Sequence, residues 1–345
     1  MKKIYLTFFV IASILTACNI EEEGIDANSK IYIESKYGNQ LISNYDEVFI
    51  AKDASGNDIS ANVTFYIDGT AQASNVLRFA QSGTYQVSAN ISLDGTVKES
   101  DPLSINVIEP RHSSKILIED FTGTWCVNCP RVAFKLDEAV HNNDHIIPVG
   151  VHFSRWSGDD PFGYDNINDL KTAYNISGFP TPLVNRDFVW DEQVSSLQNT
   201  LQQNQAMGLS INSSVSGSNL TIDVKTRFDM DFSKDDLFLV VYIAENGLHA
   251  DQANTTSYYG GQNPIPNFEH NHTLRTALTG INGVAIPHNE SETDAIYTYH
   301  FSGAVPSQVS DINNCEIIAF IGDNSNPLKV INVQKADVGT LKDFD

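Results

Sequence analysis

Several absences narrow what this 345-residue chain can be. Basic residues are scarce: 21 Lys and Arg stand against 43 Asp and Glu, for a formal net charge of −22. A chain this acidic repels phosphate backbones, which argues against nucleic acid as a partner. After the first fifteen residues no apolar run approaches a bilayer's thickness, so no later segment is expected to thread a membrane as a helix. Cysteine occurs only four times, which excludes a scaffold held by a dense disulfide framework. Fixed-period repeats and low-complexity tracts are lacking too. What remains is a chain with 41% hydrophobic residues, enough to bury real cores, and a length that suggests two or three domains.

The first residues read as an address. Lys2 and Lys3 precede Ile4 to Leu15, an apolar stretch too short to span a bilayer comfortably. It ends in Leu15-Thr16-Ala17-Cys18, which resembles the lipobox of bacterial lipoproteins. That resemblance implies lipidation of Cys18 as the new N-terminus. Asn19, rather than Asp, resembles a signal for release from the inner membrane, and Glu21-Glu22-Glu23 resembles an acidic tag for the outer face. The expected location is the outer membrane, with a lipid anchor as the link to the bilayer and exposure at the surface implied by the tag.

Residues 1–18 are thus the signal peptide with its lipobox, and residues 19–29 an acidic tether. From 30 to 109, short alternating runs such as Val63-Thr64-Phe65-Tyr66-Ile67 are divided by turn signals such as Asp68-Gly69. This pattern reads as an immunoglobulin-like β-sandwich. Residues 110–207 change character: strand-like Lys115 to Phe121, a helix after Pro130, and strand-like Ile146 to Phe153 follow one another at the spacing of a βαβ unit. Asp165 to Tyr174 and Val194 to Met207 read as further helices. From 208 to 345 the period returns to two, which suggests a C-terminal β-sandwich, with long excursions between about Asn246 and Ala285. The expected fold class is therefore an α/β domain flanked by two all-β sandwiches.

The chemistry centres on Cys126-Val127-Asn128-Cys129, placed between a strand and a helix. A cysteine at the opening turn of a helix meets unpaired N–H groups and the positive end of the dipole, and both favour the thiolate that attacks disulfides. The second cysteine lies close enough to resolve a mixed disulfide. Zinc would want four ligands, and neither a second C-x-x-C nor suitably spaced histidines are present, so no metal and no cofactor are expected. Cys315 sits in an apolar run and reads as a buried thiol. His270, His272 and Asp251 form a weaker metal candidate, against which satisfied loop residues are the commoner outcome. Tyr258, Tyr259 and Phe268 nearby either line a surface or pack on their own sandwich.

Trp125, Cys126 and Cys129, together with the loop Gly178-Phe179-Pro180-Thr181, resemble the thioredoxin superfamily. The resemblance implies a thioredoxin-like fold for residues 110–207, with Cys126 as nucleophile and Cys129 as resolving thiol. It further implies Asp120 as the buried acid, Pro180 as a cis-proline facing the cysteines, and Phe179 and Trp125 against an extended substrate. Val127-Asn128 and the following Pro130 depart from the well-known redox variants, so direction cannot be read from them. A wider set, Phe121-Thr122-Gly123, the cysteine motif, Phe179-Pro180-Thr181 and His270 to Arg275, resembles the twenty-eight-kilodalton outer-membrane-protein family of envelope lipoproteins. Two functions follow from these resemblances. One is a thiol–disulfide oxidoreductase acting on protein dithiols or disulfides; the other is a non-enzymatic surface binding or adhesion lipoprotein, with an unidentified ligand and a structural disulfide.

Overall fold

The computed structural model describes residues 30–345, apart from 94, 157 and 324–326. The signal segment, Cys18 and the acidic tether lie outside the described residues. Alternating apolar residues make nearly half of the described chain strand: 46% is strand and 14% helix. Residues up to Ile108 form two sheets. One has three strands, Tyr32–Ser35, Asp46–Lys52 and Val76–Arg78; the other has six, centred on the long strand Gly83–Leu93. Phe49, Leu77, Phe65, Val87 and Ile105 fill the space between them, each at most 2% exposed.

The expectation of a separate α/β thioredoxin-like domain between two sandwiches is overturned. Ile116–Thr122 and Ile146–His152 do pair in parallel, from Ile116 opposite Ile146 to Thr122 opposite His152. Their sheet, however, does not close on itself. It has nine strands, running Phe188–Val189, Thr181–Val184, Ile116–Thr122, Ile146–His152, Thr273–Ala277, Leu237–Glu245, Cys315–Asp323 and Lys329–Asp337, with Val284–Ala285 attached to Leu237–Glu245. Five of the nine therefore come from the C-terminal third. Among the described residues only three α-helices accompany the sheets, namely α1 (Cys129–Asn142), α2 (Ile167–Ala173) and α3 (Gln198–Leu201). The expected closing helix over Val194 to Met207 shrinks to a 3-10 turn and the four-residue α3, and Met207 already opens a strand. The reason lies in what local pattern can carry. A βαβ spacing fixes the parallel pair, but not which distant strands extend its edge.

Met207–Ser216 and Asn219–Phe228 form a hairpin, and with Ile296–Ala304 and Leu341–Lys342 they make a four-stranded sheet. Its apolar residues Leu209, Ile211, Leu220, Ile222 and Val224 share a core with Leu239, Val241, Ile317 and Ile321 of the large sheet. The other side of the large sheet buries Val240, Tyr242 and Phe320 together with Leu117, Phe121, Val149 and Leu170 of α2. Near the cysteines, Val132, Leu136 and Ala139 of α1 pack on Ile116, Ile118 and Ile146. Since strand residues alternate between faces, Glu119 leaves the sheet with Leu117 and Phe121, and Asp120 leaves it on the side of α1.

Candidate functional site around the cysteine pair

The strand Ile116–Thr122 delivers the chain to Gly123, whose lack of a side chain matters. A Cβ there would lie 2.7 Å from Trp125 Nε1, so the indole can fold back only over glycine. That indole N–H donates to the Phe153 carbonyl at 2.7 Å. Cys126 and Cys129 are joined as a disulfide and are 4% and 2% exposed. Pro130 occupies the first turn of α1, where its missing N–H leaves nothing unsatisfied. The helix begins at Cys129, so Cys126 stands before it rather than on its opening turn.

A hairpin from far along the chain covers the pair. Leu248–Gln252 and Ile265–His270 form two antiparallel strands, and the segment between them lies along the cysteine loop. The Ala253 N–H donates to the Thr124 carbonyl at 2.8 Å, and the Thr255 N–H to the Val127 carbonyl at 2.9 Å. Gln252, itself 3% exposed, donates through Nε2 to the Cys126 carbonyl at 3.0 Å and the Gly123 carbonyl at 3.3 Å. Asn254 holds the strap's shape, donating through Nδ2 to the carbonyls of Tyr258 (3.2 Å) and Gln262 (3.1 Å). Tyr258 and Tyr259 pack on Phe134 of α1, with centroids 4.9 and 5.9 Å away, so these aromatics close the strap onto the helix.

Beside the covered disulfide lies an aromatic platform that is partly open. Phe153 and Phe179 stack at 5.2 Å with planes 5° apart, and Trp125 meets Phe179 edge-on at 5.5 Å. Lys171 Nζ sits 3.8 Å from the Phe153 ring centre, and the Arg155 guanidinium lies 4.2 Å from both Trp125 and Trp156. Such cation–ring contacts contribute about 0.5–1 kcal/mol at exposed sites. Trp156 is 62% exposed. The Phe179–Pro180 peptide is cis and leads into the strand Thr181–Val184, which pairs with Ile116–Thr122.

Asp120 is 4% exposed and, among the described residues, its carboxyl has no hydrogen-bond partner. Burial pushes it up to about 7, helped by the Glu192 charge and opposed by Arg131. Its sequence neighbour Glu119 is fully buried but fully paired. Arg186 donates to it through Nε at 2.8 Å and Nη2 at 3.1 Å, and the Tyr242 hydroxyl donates at 3.0 Å. His152 is buried with its Nδ1 3.0 Å from Asp160. That carboxylate also accepts from the Thr124 N–H at 2.7 Å, and so holds the turn before the cysteines.

The His270, His272 and Asp251 set is not brought together as one site. The His270 ring packs among His152, Phe162 and Phe268. His272 bonds through Nδ1 to Glu316 at 2.8 Å, and Asp251 accepts from the Asn267 N–H at 2.9 Å. Among the described residues no group of three or more His, Cys, Asp and Glu could hold a metal ion. Sequence reasoning missed Glu119, Arg186 and Tyr242, which carry no local motif, Gln252, whose partners Gly123 and Cys126 lie more than a hundred residues away in the chain, and Asn254, whose bonds stay within the strap.

Comparison with known families turns on the C-terminal half. The family model described as outer membrane protein Omp28 matches residues 167–342, just over half of the chain. The chain belongs to the Omp28 family. Membership places it at the outer membrane. The match begins after the cysteine motif, so it takes in the strap and the C-terminal strands but not the Cys126–Cys129 pair. Among solved structures, HBP35 of Porphyromonas gingivalis is similar at 17% identity, covering 67% of this Omp28 chain and 77% of that one with a TM-score of 0.54. At that identity the likeness concerns the fold alone. A domain of the outer membrane lipoprotein Omp28 from Porphyromonas gingivalis aligns over 39% of this chain and 88% of that one, at 17% identity and a TM-score of 0.25. No curated protein matches the chain.

Proposed function

We propose that this Omp28 protein is a lipid-anchored binding protein of the outer membrane, in which the Cys126–Cys129 disulfide is a structural brace rather than a redox tool. One observation carries this reading. Both cysteines are buried, and the 252–255 strap is hydrogen-bonded across their loop, while the aromatic platform beside them stays open. A thiol that exchanges must be reached by its partner, and access here requires lifting the strap. Trp125, Trp156, Phe153 and Phe179, with Arg155 and Lys171 over their rings, offer the kind of amphipathic surface on which partners dock. The lipid anchor rests on Cys18 and its lipobox resemblance.

Insulin reduction by the purified protein tests the brace. We expect no turnover above dithiothreitol alone, and no alkylation of Cys126 under native conditions after mild reduction. Closing so short a loop contributes about 2 kcal/mol, so Cys126→Ser with Cys129→Ser lowers stability by about that amount in urea titrations. Rapid native alkylation of Cys126, with insulin turnover lost in Cys126→Ser, would return the protein to the oxidoreductases.

A further inference from the structure

A strand at the end of a sheet presents a row of unpaired N–H and C=O groups, and folded proteins blunt a long one with lysine, proline, a bulge or a covering segment. Among the described residues, two sheet-ending strands run to nine residues, Ile296–Ala304 and Lys329–Asp337, while the others have two to six. The second of these is protected. It carries Lys329 and Lys335, its register shifts where Ile321 and Gly322 pair with it, and its Val330 N–H donates to the Asn185 carbonyl at 2.9 Å. Ile296–Ala304 has none of these devices. Its sequence, Ile-Tyr-Thr-Tyr-His-Phe-Ser-Gly-Ala, holds no lysine, arginine, carboxylate or proline. It pairs with Asn219–Phe228 without a shift, from Arg227 opposite Ile296 to Asn219 opposite Ala304, and among the described residues its backbone bonds to no other segment.

The side chains show the same incompleteness. Tyr297, Tyr299 and Phe301 pack against the core shared with the large sheet, yet each stays only half-buried on this outermost strand. A further strand would cover them. Charge then narrows what that strand can be. The net charge of −22 sets copies of this chain against one another over most of the surface, but this edge is a strip where that repulsion is locally absent. Its histidine, His300, lies on the outer face with Nδ1 2.7 Å from Asp223 of the neighbouring strand. A highly charged segment would find no counter-charge along the edge itself. The complement it favours is another neutral strand with aromatics on one face, and this chain supplies one in its own second copy.

We propose that Ile296–Ala304 pairs antiparallel with the same strand of a second copy, so that two four-stranded sheets become one of eight about a two-fold axis at His300. The register follows from the strand itself. Side chains alternate between faces, so a slip of one residue would set the aromatic row of one copy against the solvent-facing row of the other. Full overlap with the faces matched puts Tyr299 opposite the partner's Phe301, Thr298 opposite the partner's Ser302 and Ile296 opposite the partner's Ala304. Each aromatic row then continues across the axis. The pairing is independent of the cysteines, so it stands whether or not the disulfide exchanges.

Sedimentation equilibrium and cross-linking of the purified protein test it. Edge pairing buries a small interface of the weak, transient kind, so a dimer with a Kd on the order of 10 μM is expected. Directly opposed antiparallel residues bring their Cα atoms to about 4.5–5.5 Å, within the span of a disulfide, so His300→Cys should give a covalent dimer under copper–phenanthroline oxidation. Ser214→Cys, exposed on the same sheet but two strands from the edge, should not. Thr298→Glu with Ser302→Glu sets carboxylate against carboxylate at two places across the axis. Both positions are exposed and Lys225 stands beside the first, so this variant should keep the parent's circular-dichroism spectrum. Its dimerisation should weaken at least about tenfold. The mass of one chain at every concentration, which leaves the edge to water or to another protein's strand, overturns the proposal. So does a dimer unmoved by the double substitution, no cross-link in His300→Cys, or equal cross-linking in Ser214→Cys.

Discussion

Glu119 and Asp120 follow one another on the Ile116–Thr122 strand and leave the sheet on opposite faces. On one face Glu119 is surrounded: the Arg186 guanidinium donates to it through Nε and Nη2, the Tyr242 hydroxyl donates to it, and Arg186 Nη1 reaches the Ile281 carbonyl at 2.8 Å. On the other face Asp120 is nearly as well hidden from solvent but, among the described residues, its Oδ1 meets no donor. Burial is nearly equal on the two sides, so burial does not distinguish a structural tie from an isolated acid. The count of partners does. The satisfied acid ties the Ile116–Thr122 strand to the turn at Arg186 and to the distant strand Leu237–Glu245, whereas the unsatisfied one makes no such tie.

The largest expected effect comes from breaking the paired side. Arg186→Met strands Glu119 in an apolar core, and stability should fall by about 3–5 kcal/mol in urea titrations. Adding Glu119→Leu should recover much of the loss, because the two are one unit; a double variant as unstable as the single would refute that coupling. The unpaired side should respond to pH. Burial raises Asp120 from 3.8 to about 7 in the folded chain, so between those values the folded state keeps a proton that the unfolded state releases. Stability therefore falls as pH climbs from about 4 to about 7 and levels off above, by up to about 4 kcal/mol in all. Asp120→Asn should be flatter over that window and more stable than the parent at pH 8; equal slopes would mean that another group is responsible. The smallest effect concerns the cover that lies over the cysteines. Gln252→Ala should cost about 1 kcal/mol and hasten hydrogen exchange at the Ala253 and Thr255 amides. Unchanged exchange there would show that the strap does not depend on this side chain.

The sequence made some of this plain. The cysteine motif, the proline after it and the Phe179-Pro180 loop all have local signatures, and the structure sets Trp125, next to Cys126, against Phe179. The alternation of apolar residues over Met207–Ser216 and Asn219–Phe228 likewise announces a hairpin. Glu119 gave no sign, because its partner Arg186 is 67 positions away and Tyr242 is 123 away. Arg186 reaches it from a turn in which Asn185 and Arg186 both adopt positive φ, at 47° and 57°, and neither residue type requires that conformation. The stretch rich in Gly, Asn, His and Tyr after Asn246 reads as loop by composition. It holds the strands Leu248–Gln252, Ile265–His270 and Thr273–Ala277 because tertiary pairing outweighs weak local preference. The short α3 shows the same weakness: Asn199, Thr200 and Asn204 sustain a helix poorly, and none of α3's residues is buried to give it a packed face.

The pairing of Gly150 with Thr273 sets a timetable for synthesis. As the chain emerges from its N-terminus, Ile146–His152 is delivered early, while the strand that closes its free edge is among the later ones. At ribosomal speeds of about 5–20 residues per second, that edge waits on the order of ten seconds for its neighbour. Throughout that interval a raw, apolar strand and two uncovered thiols travel together. Chaperoning has its opening then, before the second half of the sheet arrives and shuts it.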